Sequence, residues 1–267
     1  MSSLAEPCLI PSISYAELLH DDVDTRDLAA GNFAQALKSY GACRSVLSHT
    51  FVFLLDCSLY LEFQYGVYEL APGNWSVPGR ALVKASKSLH EECNRLHRTL
   101  LNSLSSSMSL PQSLTSLHSN RNSFFAPYFY YFTNDTDKNT LRVPPHIDPT
   151  TLLFNFQDAH GGLKVADLSN QTNSCNLSSK AVSETARFIT VNCQRGEFLV
   201  LAGNLLRKLV GEVKHSVHLV ERPLGTSGFH LNYWTIPDLD TACGFGGKRE
   251  NVEAYLARVF PEALGNS

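Results

Sequence analysis

From Tyr128 to Ile236 the sequence is cut into short stretches of β character: Tyr128 to Phe132, Thr150 to Phe156, Leu163 to Val165, Phe188 to Val191, Phe198 to Leu201, Val213 to Val220 and Phe229 to Ile236. Turn-forming residues separate them, including Asn134-Asp135, Gly161-Gly162, Arg195-Gly196, Gly203-Asn204 and the run from Pro223 to Gly228. An alternating α/β chain would place an amphipathic helix between successive strands, and this region lacks that alternation. Many short strands joined by loops predict two packed antiparallel sheets, a sandwich or a jelly roll.

The first half of the chain reads differently. Residues 9–13 suggest a short strand, Ala16 to Leu19 and Asp24 to Tyr40 read as helical, and Leu28, Phe33, Ala36 and Leu37 supply apolar positions. Gly41 is placed to end that helix. Val46 to Leu61 is an apolar run that fits either a strand or a helix, because periodicity does not separate the two for short buried segments. Residues 80–105 read as a helix, with Leu82, Val83, Leu89, Cys93, Leu96, Leu100 and Leu101 at spacings of three and four. From Ser103 to Ser123 nine of twenty-one residues are Ser, which lowers helix propensity and predicts a mobile surface segment, a lid or a linker. Leu168 to Ala186 reads as a polar loop. Arg249 to Phe260 returns to helix, with Val252, Tyr255, Leu256 and Val259 on one face. The expected organisation is one domain over 1–267: a mostly helical support region over 1–123, a β core over 124–240 and a C-terminal helix within 241–267.

Only 18% of the 267 residues are charged, against about 25% in ordinary soluble domains, and the net charge is −3. There is no basic field to draw in a nucleic acid and no run of about 18 apolar residues to cross a membrane. The expected location is cytoplasmic. The seven Cys contain no C-x-x-C pair, so neither a disulfide framework nor a zinc ribbon is indicated.

The sharpest chemical signal is His146-Ile147-Asp148, between Pro144-Pro145 and the strand at Thr150. In an extended segment residues i and i+2 share a side, so an imidazole and a carboxylate can converge on one ion. Such a triplet is weak alone, and His20-Asp21-Asp22 is a second instance. A third donor lies downstream, at His215 or His218. Two imidazoles and one carboxylate bind one face of iron(II) and leave the other open. The two downstream histidines are an odd number of residues apart, so on a strand only one of them can face the ion.

These residues sit in blocks that resemble the iron(II)/2-oxoglutarate dioxygenases and their relatives, isopenicillin N synthase and aminocyclopropane carboxylate oxidase. Ile10 to Tyr15 with Leu18-Leu19 looks like the family's opening strand and helix. Leu141 to Asp167 carries H-I-D, Gln157-Asp158 and Gly161-Gly162-Leu163-Lys164-Val165 in the family's order. Gly196 to Asn204 resembles a later strand, and Gly211-x-x-Lys214-x-x-x-His218 matches a motif whose register selects His218 over His215. The resemblance implies a double-stranded β-helix, or jelly-roll, core with flanking helices. It implies iron(II) held by His146, Asp148 and His218, dioxygen as co-substrate, and a small organic substrate.

The sequence departs from the family where 2-oxoglutarate is normally gripped. The family's Arg-x-Ser pair falls at Gly228 and His230, and glycine offers no charge to a distal carboxylate. The family's upstream tyrosine fits Tyr131. Candidate substrate or co-substrate residues are therefore Tyr131, Gly228, His230, Asn232, Arg142 and Arg222, with Arg207 a further substitute cation. Three readings stay open. The first is an iron oxidase or oxygenase of specialised metabolism that activates a C–H bond without 2-oxoglutarate. The others are a 2-oxoglutarate-dependent dioxygenase with a relocated anchor, and a catalytically silent binding subunit of the same fold.

Overall fold

The computed structural model describes residues 10–46, 77–119, 122–130, 141–157, 162–170, 179–191, 193, 196–221, 228–244 and 249–260. The strands β1 (Ser12–Ser14), β2 (Ala42–Val46), β3 (Phe124–Tyr130), β5 (Leu152–Gln157), β8 (Glu197–Ala202) and β10 (Gly228–Trp234) form a main sheet in the order β1-β2-β8-β5-β10-β3. A second sheet, β4-β9-β6-β7, is built from β4 (Leu141–His146), β9 (His218–Glu221), β6 (Leu163–Ala166) and β7 (Phe188–Thr190). The pair β11 (Ala242–Cys243) and β12 (Glu250–Asn251) stands apart. Apart from the parallel β1–β2 pair, the strands of both sheets pair antiparallel, as expected for the jelly roll.

The main sheet is buried on both faces, which accounts for the nearly continuous apolar reading of β5. On its outer face, Phe154, Phe156, Phe198, Val200, Leu231 and Tyr233 pack against helices α2 (Val23–Tyr40) and α3 (Val77–Ser107), through Phe33 and Leu37 of one and Leu96, Leu100 and Leu104 of the other. Its inner face meets the second sheet through Leu153, Leu199, Leu201, Leu163, Val165 and Val220. Short helices complete the described chain: α1 (Tyr15–Leu18), α4 (Ser179–Thr185), α5 (Asn204–Val210) and α6 (Val252–Val259). None of the described helices is long and apolar enough to cross a membrane.

Two local departures from the sequence reading have clear physical causes. Over its described residues the Ser-rich segment, expected as a mobile surface segment, is tied into the fold at several points. α3 runs on to Ser107, and Leu104, Leu114, Thr115, His118 and Ser123 are buried. Its hydroxyls serve the backbone: Ser105 Oγ donates to the Leu101 carbonyl at 2.7 Å and accepts from Leu114 N–H at 2.9 Å. Ser119 donates through Oγ to Asp238 at 2.6 Å, tying the segment to the stretch that follows β10. Serine lowers helix propensity, but here its hydrogen bonds lie inside the fold.

The expected strand Val213 to Val220 begins only at His218. Residues 214–216 instead run against Gly41, which sits at φ +68° past the end of α2, where a Cβ would meet the Lys214 carbonyl oxygen at 2.7 Å. Lys214 N–H donates to the Leu37 carbonyl at 3.1 Å, and Ser216 N–H to the Ala202 carbonyl at 2.8 Å, so this backbone leaves the ladder to cap the helix. The Val46 to Leu61 run lies mostly outside the described residues, and 168–186 holds the helix α4 where a loop was expected.

Behind β10 lies a buried histidine pair. His97 is 1% exposed with neither ring nitrogen hydrogen-bonded, and its ring meets that of His118 edge-on at 4.9 Å. Burial holds His97 well below the usual histidine range, and the neighbouring His118 adds to the effect. The unfolded chain therefore binds a proton near pH 6.5 that the folded chain refuses, so stability falls as pH drops below that value. Replacing His97 with phenylalanine should raise the unfolding midpoint more at pH 5 than at pH 8, as followed by thermal melts at both. A gain equal at the two pH values would show that His97 does not carry the acid sensitivity.

Candidate active site

His146 ends β4 and His218 opens β9, and the ladder sets these two residues directly opposite each other. Their rings approach to 4.2 Å between centroids. Pro144 and Pro145 contribute no N–H, which suits β4 to its place at the sheet edge, and the register shifts between Leu141 and His146 re-aim the strand end. Asp148 follows two residues later with its carboxylate buried. Its main-chain carbonyl accepts from Asn204 N–H at 2.8 Å, at the start of α5. One ligand atom from each of His146, Asp148 and His218 lies within 4.8 Å of the others.

The hydrogen bonds fix what these groups present. His146 Nδ1 lies 2.9 Å from the Pro144 carbonyl oxygen and His218 Nδ1 lies 3.4 Å from that of Ser216. A carbonyl oxygen only accepts, so in each ring Nδ1 carries a proton, and in the neutral imidazole Nε2 then presents a lone pair. Burial pushes His218 down to about 4, against the opposing pull of Asp148, so its imidazole is neutral at physiological pH. His218 Nε2 stands 3.3 Å from Asp148 Oδ2, and His146 Nε2 stands 3.6 Å from Oδ1. Asp148 Oδ2 is buried without a hydrogen bond. Three acceptors aimed at one another repel, and a cation among them removes the repulsion. The donor set therefore fits a divalent metal, with nitrogen and oxygen ligands suited to iron(II).

A cavity of about 270 Å³ opens beside this cluster, between the two sheets. His230, Asn232 and Trp234 alternate along β10 into it, while Leu231 and Tyr233 point the other way into the helical side of the core. β5 contributes Leu153 and Asn155, and the C-terminal helix brings Val259 and Phe260. Trp234 is sandwiched between Phe124 at 5.6 Å and Phe260 at 5.1 Å, both near parallel.

Of the residues singled out from the sequence, His146, Asp148, His218, His230 and Asn232 come together here. Gly228 opens β10 opposite Tyr130. Arg142 on β4 and Arg207 on α5 are not part of the described wall, and Tyr131 and Arg222 lie outside the described residues. His215 is buried but is not one of the three clustered residues. Sequence reading missed Asn155, Trp234 and Phe260. Extending the alternation from His230 and Asn232 would have reached Trp234, whereas Phe260 has no local signal.

No family model matches the sequence. Over 122 residues the chain is 31% identical to proline hydroxylase buaE of Petromyces alliaceus, a match that spans 43% of this chain and only 37% of that protein. A full-length Neurospora crassa protein crystallised with alpha-KG superposes with a TM-score of 0.75, covering 96% of this chain and 97% of its own at 14% identity. A 2OG-Fe(II) oxygenase family protein from Caulobacter crescentus gives 0.70, with 96% and 99% covered at 14% identity. The fold is that of the 2OG-Fe(II) oxygenases. The rice dioxygenase for auxin oxidation shares it as well, with a TM-score of 0.68, 96% of each chain covered and 15% identity.

Proposed function

We propose that this protein is an iron(II)-dependent oxygenase that acts on a C–H bond of a small organic substrate. The observation that carries this reading is the buried Asp148 carboxylate faced by two imidazole lone pairs. His146, Asp148 and His218 would hold the metal. When bound, iron(II) supplies dioxygen activation for hydroxylation, desaturation or ring closure.

The remaining work falls to the chain. The Pro144 and Ser216 carbonyls lock the two imidazole tautomers, and Asn204 N–H holds the loop that carries Asp148. Leu153, Val220, Trp234 and Phe260 keep the cavity apolar, while His230, Asn155 and Asn232 provide the polar contacts that orient a substrate. The proline hydroxylase match and the shared fold support the same reading. A cytoplasmic location is part of the proposal, supported by the unbridged, buried Cys43, Cys93 and Cys243.

Reduction of dioxygen draws electrons from a 2-oxoacid or from the substrate itself. Among the described residues, the cavity wall contains no Lys or Arg to anchor a distal carboxylate, which favours the substrate as the source. The alpha-KG complex of the Neurospora protein favours the second reading, a 2-oxoglutarate enzyme anchored elsewhere, with Arg222 the candidate. Anaerobic loading with iron(II) followed by titration with 2-oxoglutarate separates them. Iron should be retained, and no visible charge-transfer band should develop. A band would establish the 2-oxoglutarate reading, and failure to retain iron would overturn both.

A further inference from the structure

We propose that Asn155, Asn232 and Trp234 form a recognition edge for a neutral amide group, a carboxamide or lactam, on the substrate. This inference deepens the oxygenase reading and rests on it for the reaction, but binding at this edge can be measured without iron.

The three residues are neighbours by construction of the sheet. Asn232 of β10 pairs with Asn155 of β5, and Trp234 pairs with Leu153 one step along the same face. Asn155 is 2% exposed, Trp234 7%, and both line the cavity. Their polar groups are incompletely used. Asn155 Nδ2 donates to Asn232 Oδ1 at 2.6 Å, which leaves Asn155 Oδ1 buried without a partner. The same bond engages the Asn232 carbonyl and leaves its Nδ2 hydrogens to offer. Trp234 Nε1 is also buried without a partner. Turning both amides over exchanges the roles of the two asparagines, so the edge offers a donor and an acceptor side by side in either arrangement.

Buried polar groups in this state are costly, and a complementary ligand recovers that cost. A carboxylate only accepts and would leave the Asn155 carbonyl unmatched. It would also enter a wall that has no Lys or Arg among the described residues and already holds Asp148. An ammonium group has nothing to accept the Trp234 N–H. A neutral amide matches all three, its carbonyl accepting from Trp234 and Asn232 and its N–H donating to the Asn155 carbonyl. The sandwich of Trp234 between Phe124 and Phe260 fixes the indole, so the direction of its N–H is set before the ligand arrives. Phe260 adds a flat apolar surface for the body of the ligand.

Three probes of the same heavy-atom count test this: benzamide, which donates and accepts; acetophenone, which only accepts; and benzoate, which is anionic. Each is titrated calorimetrically into the full chain, metal-free and anaerobically loaded with iron(II). Benzamide should bind about tenfold more tightly than either competitor, the worth of one buried hydrogen bond otherwise left unmade. Trp234→Phe keeps a six-membered ring between Phe124 and Phe260 but removes the N–H together with the pyrrole half of the indole, and should weaken benzamide and acetophenone alike by several fold. Asn155→Leu should erase the preference of benzamide over acetophenone, with circular dichroism confirming that both variants are folded. Equal binding of the three probes, benzoate binding most tightly, or a Trp234→Phe variant that binds benzamide unchanged would each overturn the proposal. Benzamide selectivity in the metal-free chain together with failure to take up iron would overturn the oxygenase reading and leave the amide site standing.

Discussion

Exchanging Asp148 for asparagine should abolish iron(II) binding and at the same time stabilise the metal-free fold. The two effects have one cause. In the parent the carboxylate is buried, its Oδ2 has no hydrogen bond, and the lone pairs of His146 and His218 face it at 3.6 and 3.3 Å. An amide of the same shape removes the charge and turns an N–H toward one of those lone pairs, replacing a repulsion with a hydrogen bond. Relief of a buried unsatisfied group is worth about 1–3 kcal/mol, visible as a higher melting temperature of the apo chain. The metal loses its only anionic ligand, so affinity should fall by well over the roughly 10–100-fold lost when only a residue supporting a ligand is changed. Metal analysis and thermal melts on parent and variant check both halves. Iron retained by D148N would remove Asp148 from the ligand set, and an apo variant less stable than the parent would show that the carboxylate is satisfied by contacts within the protein.

Gly203→Ala should be the most damaging small substitution in the described chain. A Cβ at this position would be driven into the Thr150 carbonyl oxygen and hydroxyl, with the Thr150 carbonyl carbon at 2.6 Å, and backbone cannot swing aside as a long side chain can. The junction that would be forced apart also holds the Asp148 loop. Gly203 N–H donates to the Thr151 carbonyl at 3.1 Å, Asn204 N–H to Asp148 at 2.8 Å and Leu205 N–H to Thr150 at 3.0 Å. Overpacking against backbone costs about 3 kcal/mol, and the strained hydrogen bonds add to it, which for a chain of this size lowers the melting temperature by roughly 6 °C or more. Iron affinity should fall in parallel, because Asp148 is aimed by the loop that must move. A variant with the parent melting temperature and normal iron uptake would show that Gly203 and Thr150 are free to separate.

The two predictions lie on different sides of what the sequence shows. H-x-D spacing, the run of short strands and the ordered blocks around His218 were legible because each is local, set by i and i+2 geometry or by turn chemistry a few residues long. The choice between His215 and His218 came from the family motif, and the ladder places His218 opposite His146. The sequence offers only a turn signal at Gly203-Asn204 where the helix Asn204–Val210 begins, and nothing local shows that the first N–H groups of this helix find partners in Asp148 and Thr150. Composition predicts a mobile Ser-rich segment because it counts hydroxyls without knowing their partners, and the Leu101 carbonyl and Asp238 as acceptors and the Leu114 N–H as donor supply them from within the fold.

By itself, then, the sequence determined the class of fold, the candidate metal triplet and the Gly at position 228, where the family resemblance expects a charged anchor, since all three depend on residue type at short or motif-fixed spacing. The tertiary structure alone decided the character of the cavity. Asn155 and Asn232 are 77 residues apart, and Phe124, Trp234 and Phe260 come from β3, the end of β10 and the end of α6. Only antiparallel pairing and the return of the C-terminal helix bring them to one wall, and hydrogen-bond satisfaction is a property of that wall rather than of any segment of the chain.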